Sequence, residues 1–189
     1  MNIFFENINN FNTQQYELWF NEASPIKQNK IKKLNDTNRQ KTAILSDHLA
    51  RLAVSYSIGV DTKEVIFSYG THEKPFIYGN AIYFNISHKG DYVVCVWADT
   101  PCGIDIEIIK EVKLSSAKRF CTENELNFIM ESDNKNQAFL YIWTRKEAYF
   151  KSLGCGISTV LSAVDVLKTD GFETKIEKDY ILSYYIKKT

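Results

Sequence analysis

The chain has 189 residues, of which 23 are basic and 23 acidic, for a formal net charge of zero. Hydrophobic residues make up 44% and aromatic residues 14%, enough for a real core at this size. An even balance excludes a strong whole-molecule field and argues against a dedicated nucleic-acid binder, so an anionic ligand must be met by local clustering.

The opening MNIFFENINNF mixes Glu with several Asn and lacks a basic stretch followed by an apolar run, so it does not read as a secretory signal. No stretch approaches the roughly 18 apolar residues of a membrane span. PIKQNKIKKL (25–34) reads as a short basic helix with Pro near its start. Its run from Lys27 to Lys33 is read first as a solvated face. Asp36 offers an N-cap for a longer helix with apolar positions at Ala43, Ile44, Leu45, Leu49, Leu52, Ala53 and Tyr56, and Gly59 ends it. VIFSYG (65–70) reads as a strand.

AIYFNISH (81–88) and DYVVCVWAD (91–99) flank a turn at Lys89 and Gly90, which predicts a hairpin. GIDIEII (103–109) follows as a strand, started by Pro101 and Gly103. A helical phase spans about 114–152, with a polar break at 131–136 and a close at Gly154 and Gly156. The tail holds three β-like runs: AVDVL from 163, FETKI from 172 and YILSYYI from 180. Helices interleaved with hairpins predict an α+β fold. The four cysteines, Cys95, Cys102, Cys121 and Cys155, form no CxxC pair. They read as reduced core residues of a cytoplasmic protein, and the absence of close ligand pairs argues against zinc.

Three segments carry chemistry. In GIDIE, residues i and i+2 of a strand share a face, so Asp105 and Glu107 point one way while Ile104, Ile106 and Ile108 face the core. Two carboxylates so placed suit Mg²⁺ or Mn²⁺; the competing reading is an ordinary strand with a polar outer face. In WTRKEAYFK (143–151), Trp143, Glu147 and Lys151 recur every four residues along one helix face. A carboxylate and an ammonium on that line can serve a ligand and its leaving group, or form a plain surface pair. In NISH, Asn85, Ser87 and His88 end a strand beside Lys89, where they either meet phosphate oxygens or satisfy local turn chemistry. His48 reads as a polar residue on a long helix and His72 as a loop residue; neither is given a role.

NISH at 85–88, GIDIE at 103–107 and WTRKEAYFK at 143–151, in this order and at these spacings, resemble the Sfp-type 4′-phosphopantetheinyl transferase family. Lys74-Pro75 upstream and Arg119-Phe120 before Glu125 extend the likeness, which runs from about residue 39 to the end. The resemblance implies an α+β fold of two similar α/β lobes in a pseudo-two-fold monomer, divided at about residues 1–100 and 101–189, with coenzyme A between them. It implies that Asp105, Glu107 and Glu147 hold Mg²⁺ (or Mn²⁺) and that Lys151 faces the phosphates. Lys74, Pro75, Ser87 and His88 would contact the nucleotide and its 3′-phosphate. Arg39 and Lys41 are candidates for further phosphate contacts. The resemblance departs at Glu73, where the family often has Gly, and in a short segment after Gly156.

The expected activity is transfer of the phosphopantetheine arm of coenzyme A to a serine of an apo acyl or peptidyl carrier protein, of the holo-[acyl-carrier-protein] synthase type, releasing 3′,5′-ADP. The carrier serves fatty-acid, polyketide or nonribosomal peptide synthesis; neither nucleic acid nor membrane is an expected partner. Carrier helices in this family are usually acidic, which gives the Lys27–Lys33 run a second possible use. Three carboxylates within about 4 Å repel by roughly 4 kcal/mol per pair at an effective dielectric near 20, a penalty that a divalent ion removes. Glu147 is the candidate base for the serine proton, with a water ligand equally suited to the task. Two rivals are another Mg²⁺-dependent phosphate enzyme and a non-catalytic module that binds coenzyme A or carrier proteins.

Overall fold

The structure is a computed structural model that describes residues 2–70, 74–79, 82–154 and 161–188. His72, Glu73, Ala81, Cys155 and Gly156 lie outside the described residues. The chain divides into two compact units, Met1–Asp99 and Thr100–Thr189. Each is built from a three-stranded antiparallel sheet and one long helix packed on it.

In the first unit, β1 (Asn2–Asn7) leads to α1 (Thr13–Glu22), α2 (Pro25–Lys32) and α3 (Thr37–Ile58). Two short strands, β2 (Ser68–Tyr69) and β3 (Pro75–Phe76), pair with each other. The hairpin of β4 (Tyr83–Lys89) and β5 (Tyr92–Ala98) completes the sheet, in the order β1-β5-β4. The expected caps of α3 are present: the Asp36 side chain accepts the Arg39 N–H, and Gly59 adopts a left-handed φ of 72°. Lys89 pairs with Tyr92, so the hairpin turn is Gly90-Asp91, one residue later than the sequence predicts. Gly90 takes a φ of 57°, which a tight two-residue turn demands. Leu45, Leu49 and Ala53 of α3 pack with Phe84, Val93, Cys95 and Trp97 to form the core. Of the strand expected over 65–70, only Ser68–Tyr69 pairs. His48 is more than a polar helix residue, because its ring stacks on Trp19 at 4.0 Å.

In the second unit, β6 (Cys102–Ile108) precedes α4 (Ala117–Phe120), α5 (Glu123–Glu131) and α6 (Lys135–Leu153). The strands β7 (Phe172–Ile176) and β8 (Tyr180–Ile186) close a sheet ordered β6-β8-β7. The core joins Ile129, Phe139, Leu140 and Ile142 with Val166 and Ile181. The run AVDVL is not a strand. A 3-10 turn spans Leu161–Ala163, and side chains take the backbone groups that a sheet partner would otherwise use. Lys146 Nζ donates to the carbonyls of Leu161 at 2.9 Å and Val164 at 2.6 Å, while Glu125 Oε1 accepts the Val166 N–H at 2.8 Å. Lys146 and Glu125, both fully buried, pair at 2.8 Å. Glu125 also caps α5 by accepting the Thr122 N–H at 2.7 Å. The pair therefore fastens α6 to α5 and to the segment before β7. Cys95, Cys102 and Cys121 are free thiols and buried, as expected.

Two stability predictions follow from these buried groups. Lys146→Ala or Glu125→Ala leaves an uncompensated charge in the interior and should cost about 3–5 kcal/mol, whereas joint replacement by Met and Leu should recover most of it. Urea unfolding of the three variants checks this. His48 is pushed down to about 4, first by burial and then by the Arg51 charge. Glu22 Oε2, at 3.6 Å from Nδ1, is too distant to hydrogen-bond, and its charge opposes the shift without reversing it. Because the folded value lies below the unfolded value near 6.5, the unfolded chain takes the proton first as pH falls. The contribution of neutral His48 is complete above about pH 6.5 and is lost toward pH 4, amounting to about 3 kcal/mol at most. Urea unfolding at stepped pH should show this loss in the wild-type chain and a flatter profile in His48→Phe.

Candidate active site

The acidic motif lies beneath α6. Gly103, Asp105 and Glu107 share one face of β6, and that face is the one the helix covers. Gly103 fixes the approach, since a Cβ there would overlap the Ala148 carbonyl and crowd the Ser152 N–H. Asp105 is 6% exposed, and its cross-strand neighbour Ser183 is fully buried. Ser183 Oγ is 2.7 Å from Thr144 Oγ1 on α6. The competing reading of an ordinary strand with a polar outer face gives way: Asp105 is interior and Glu107 half-buried, while Ile104 and Ile106 are buried as well. The strand is covered on both faces.

The helix delivers two of its three aligned residues to this spot. Lys151 Nζ donates to Asp105 Oδ1 at 2.6 Å and to the Ile104 carbonyl at 3.3 Å. Glu147, one turn earlier, is 7% exposed, and its Oε1 is buried without a hydrogen-bond partner. Its pKa is raised, first by burial, then by the charge of Asp105 and less by that of Glu107, with Lys151 opposing. The plain surface-pair reading of Glu147 and Lys151 thus gives way to an interior cluster. Trp143 stays with the core, edge-on to Phe120 at 5.1 Å and stacked on Phe139 at 6.3 Å.

Asp105, Glu107 and Glu147 offer only oxygen donors, and the orphaned Glu147 Oε1 points to a missing cationic or donor partner. Among the described residues, no three His, Cys, Asp or Glu side chains form a complete cation cage. A divalent ion here would need phosphate oxygens and water as further ligands, as Mg²⁺ commonly has.

The first unit carries a separate cavity of about 690 Å³. Lys27 and Lys30 of α2, Asp47 of α3, Pro75 of β3 and His88 of β4 lie on its wall, with Phe67, Tyr69 and Ile86 supplying apolar surface. Asp47 pairs with Arg51 Nε at 2.7 Å, and Lys27 and Lys30 add two basic side chains to the wall. Strand alternation separates the Ser-His pair. His88 lines the cavity beside Ile86, whereas Ser87 is buried on the opposite face of β4. Lys74 precedes Pro75, and its carbonyl accepts the Gly70 N–H at 3.0 Å. Arg39 lies in the exposed first turn of α3, and Lys41 sits over the Phe11 ring at 5.6 Å; neither is on the cavity wall. Sequence reasoning treated Lys27 and Lys30 as part of a solvated run. Their i,i+3 spacing, which places both on one side of a helix, was the signal that could have found them.

Residues 101–185 match the 4′-phosphopantetheinyl transferase superfamily, and residues 10–100 match the domain described as 4′-phosphopantetheinyl transferase, N-terminal. The chain is 32% identical over 162 residues to the 4′-phosphopantetheinyl transferase Sfp of Bacillus subtilis (strain 168), covering 84% of this chain and 72% of that protein. It is 32% identical over 153 residues to a second 4′-phosphopantetheinyl transferase from Bacillus subtilis, covering 79% and 68%. With matches running through both units at this identity, the chain belongs to the Sfp-type 4′-phosphopantetheinyl transferases.

Proposed function

We propose that this chain transfers the 4′-phosphopantetheine arm of coenzyme A to a serine hydroxyl of an apo acyl or peptidyl carrier protein. The observation that carries the reading is the buried meeting of Asp105, Glu147 and Lys151 beneath α6, in a chain of this family. Carriers of secondary metabolism are the favoured partners, and the chain acts as a monomer. No described helix is long and apolar enough to cross a membrane.

In the reaction, the serine oxygen forms a bond to the β-phosphorus of coenzyme A. The bond from that phosphorus to the bridging oxygen breaks, and 3′,5′-ADP departs with the oxygen. Asp105, Glu107 and Glu147 would hold Mg²⁺ or Mn²⁺, which supplies positive charge to the diphosphate oxygens. Glu147, buried with its Oε1 unpartnered, would accept the serine proton directly or through a water. Lys151 balances charge on the departing phosphate. Lys27, Lys30 and His88 bind the phosphates of the nucleotide end, with Phe67, Tyr69 and Pro75 against the base. Lys74, just before β3, and Ser87 of β4 are the chain neighbours of Pro75 and His88 on this wall.

Incubation with coenzyme A, Mg²⁺ and an apo carrier should add one phosphopantetheine mass to the carrier. Asp105→Ala and Glu147→Gln should each lower transfer by at least about a hundredfold while circular dichroism stays native. Free phosphopantetheine without carrier modification would identify a hydrolase instead. Coenzyme A binding with no product would identify a binding module. Joint substitution of Lys27→Glu and Lys30→Glu should raise KM for coenzyme A by about tenfold or more with kcat largely kept, because it replaces attraction by repulsion at the phosphate end. An unchanged KM would remove these lysines from the nucleotide site.

A further inference from the structure

We infer that Lys151 is an internal cation latch: in the metal-free protein its ammonium occupies Asp105, and a divalent ion must displace it to load the site. The inference rests on the metal-site reading given above and adds a competition that this reading does not contain.

Three observations carry it. Lys151 Nζ makes a charged hydrogen bond of 2.6 Å to Asp105 Oδ1, using an oxygen that a cation would need. The two side chains differ in depth: that of Asp105 is buried and that of Lys151 is 28% exposed, so the ammonium closes the cluster from its outer side. Glu147 Oε1 remains buried and unpartnered beside them, so one ammonium does not complete the cluster. A lysine suits this task. It is a point charge on a flexible four-carbon stem, able to leave without moving α6. Its second acceptor, the Ile104 carbonyl at 3.3 Å, holds it in place while the ion is absent.

The latch links metal to substrate. A bare divalent ion must take Asp105 from Lys151 and leave an ammonium close to itself. When a diphosphate arrives with the ion, the released ammonium gains an anionic partner. The free protein should therefore bind divalent ions weakly, and removal of the ammonium should tighten that binding even though it harms transfer. A lysine whose ammonium stood away from the carboxylates would leave binding of the bare ion unchanged.

The test is Mn²⁺ binding to the full chain without coenzyme A, followed by electron paramagnetic resonance of the free ion. Lys151→Met and Lys151→Gln should each bind Mn²⁺ about tenfold tighter than wild type. Lys151→Arg, which keeps the charge, should not. Mn²⁺ should also raise Tm more in the two neutral variants than in wild type. Two neutral substitutions guard against one failing to fold, and circular dichroism reports whether each does. Equal or weaker Mn²⁺ binding in the neutral variants would overturn the latch while leaving the metal site intact, provided wild-type transfer still requires the ion. If no variant binds Mn²⁺ and transfer proceeds in a chelator, both the latch and the metal site fall.

Discussion

The constraint on which the site depends is the contact between β6 and α6. Only glycine at 103 lets the helix backbone settle onto the strand at that point. That closeness turns the acid-bearing face inward and places Asp105 within reach of Lys151. A strand with the same acids and a bulkier residue at 103 would hold its helix further out. Asp105 would then face water, where a carboxylate and an ammonium interact weakly. Burial is what makes the charges of this cluster act on one another, and it is the first cause of the raised proton affinity of Glu147.

The helix is itself held in register by a buried ion pair. Lys146 is the residue immediately before Glu147, and consecutive helix residues point in different directions. Lys146 reaches Glu125 and the carbonyls of Leu161 and Val164, while Glu147 and Lys151 serve the acidic strand. A single WTRKEAYFK segment thus anchors one side of α6 in the core and presents Glu147 and Lys151 on another. Breaking the anchor would shift Glu147 along with it, so the structural and chemical demands on this helix cannot be separated by position alone.

Much of this organisation was legible in the sequence where local chemistry decides structure. Asp36 and Gly59 bracket α3 because a side-chain cap and a left-handed residue end a helix whatever surrounds it. GIDIE and WTRKEAYFK were readable as a strand and a helix with aligned functional groups. What failed depended on partners distant in sequence. β1 and α1 were not anticipated: NIFFEN shows no clean alternation, and it becomes a strand by pairing with β5. AVDVL has strand composition, yet Lys146 and Glu125 claim its backbone groups. The acids of β6 looked like a solvent face because alternation with Ile cannot reveal that a helix covers the polar side. The basic run of α2 looked solvated for the same reason, although Lys27 and Lys30 line a cavity with His88 from a strand some 60 residues on.

The two units share a plan but not a chemistry. Each packs one long helix on three antiparallel strands. In the first, Lys27, Lys30, Asp47 and His88 lie on a cavity wall, and Asp47 pairs with Arg51. In the second, Asp105 pairs with Lys151 beside Glu147, whose Oε1 is buried without a hydrogen-bond partner. Similar frames thus carry unlike surroundings: the same packing of a helix on a sheet buries an acid-bearing strand in one unit and leaves a cavity with basic residues on its wall in the other.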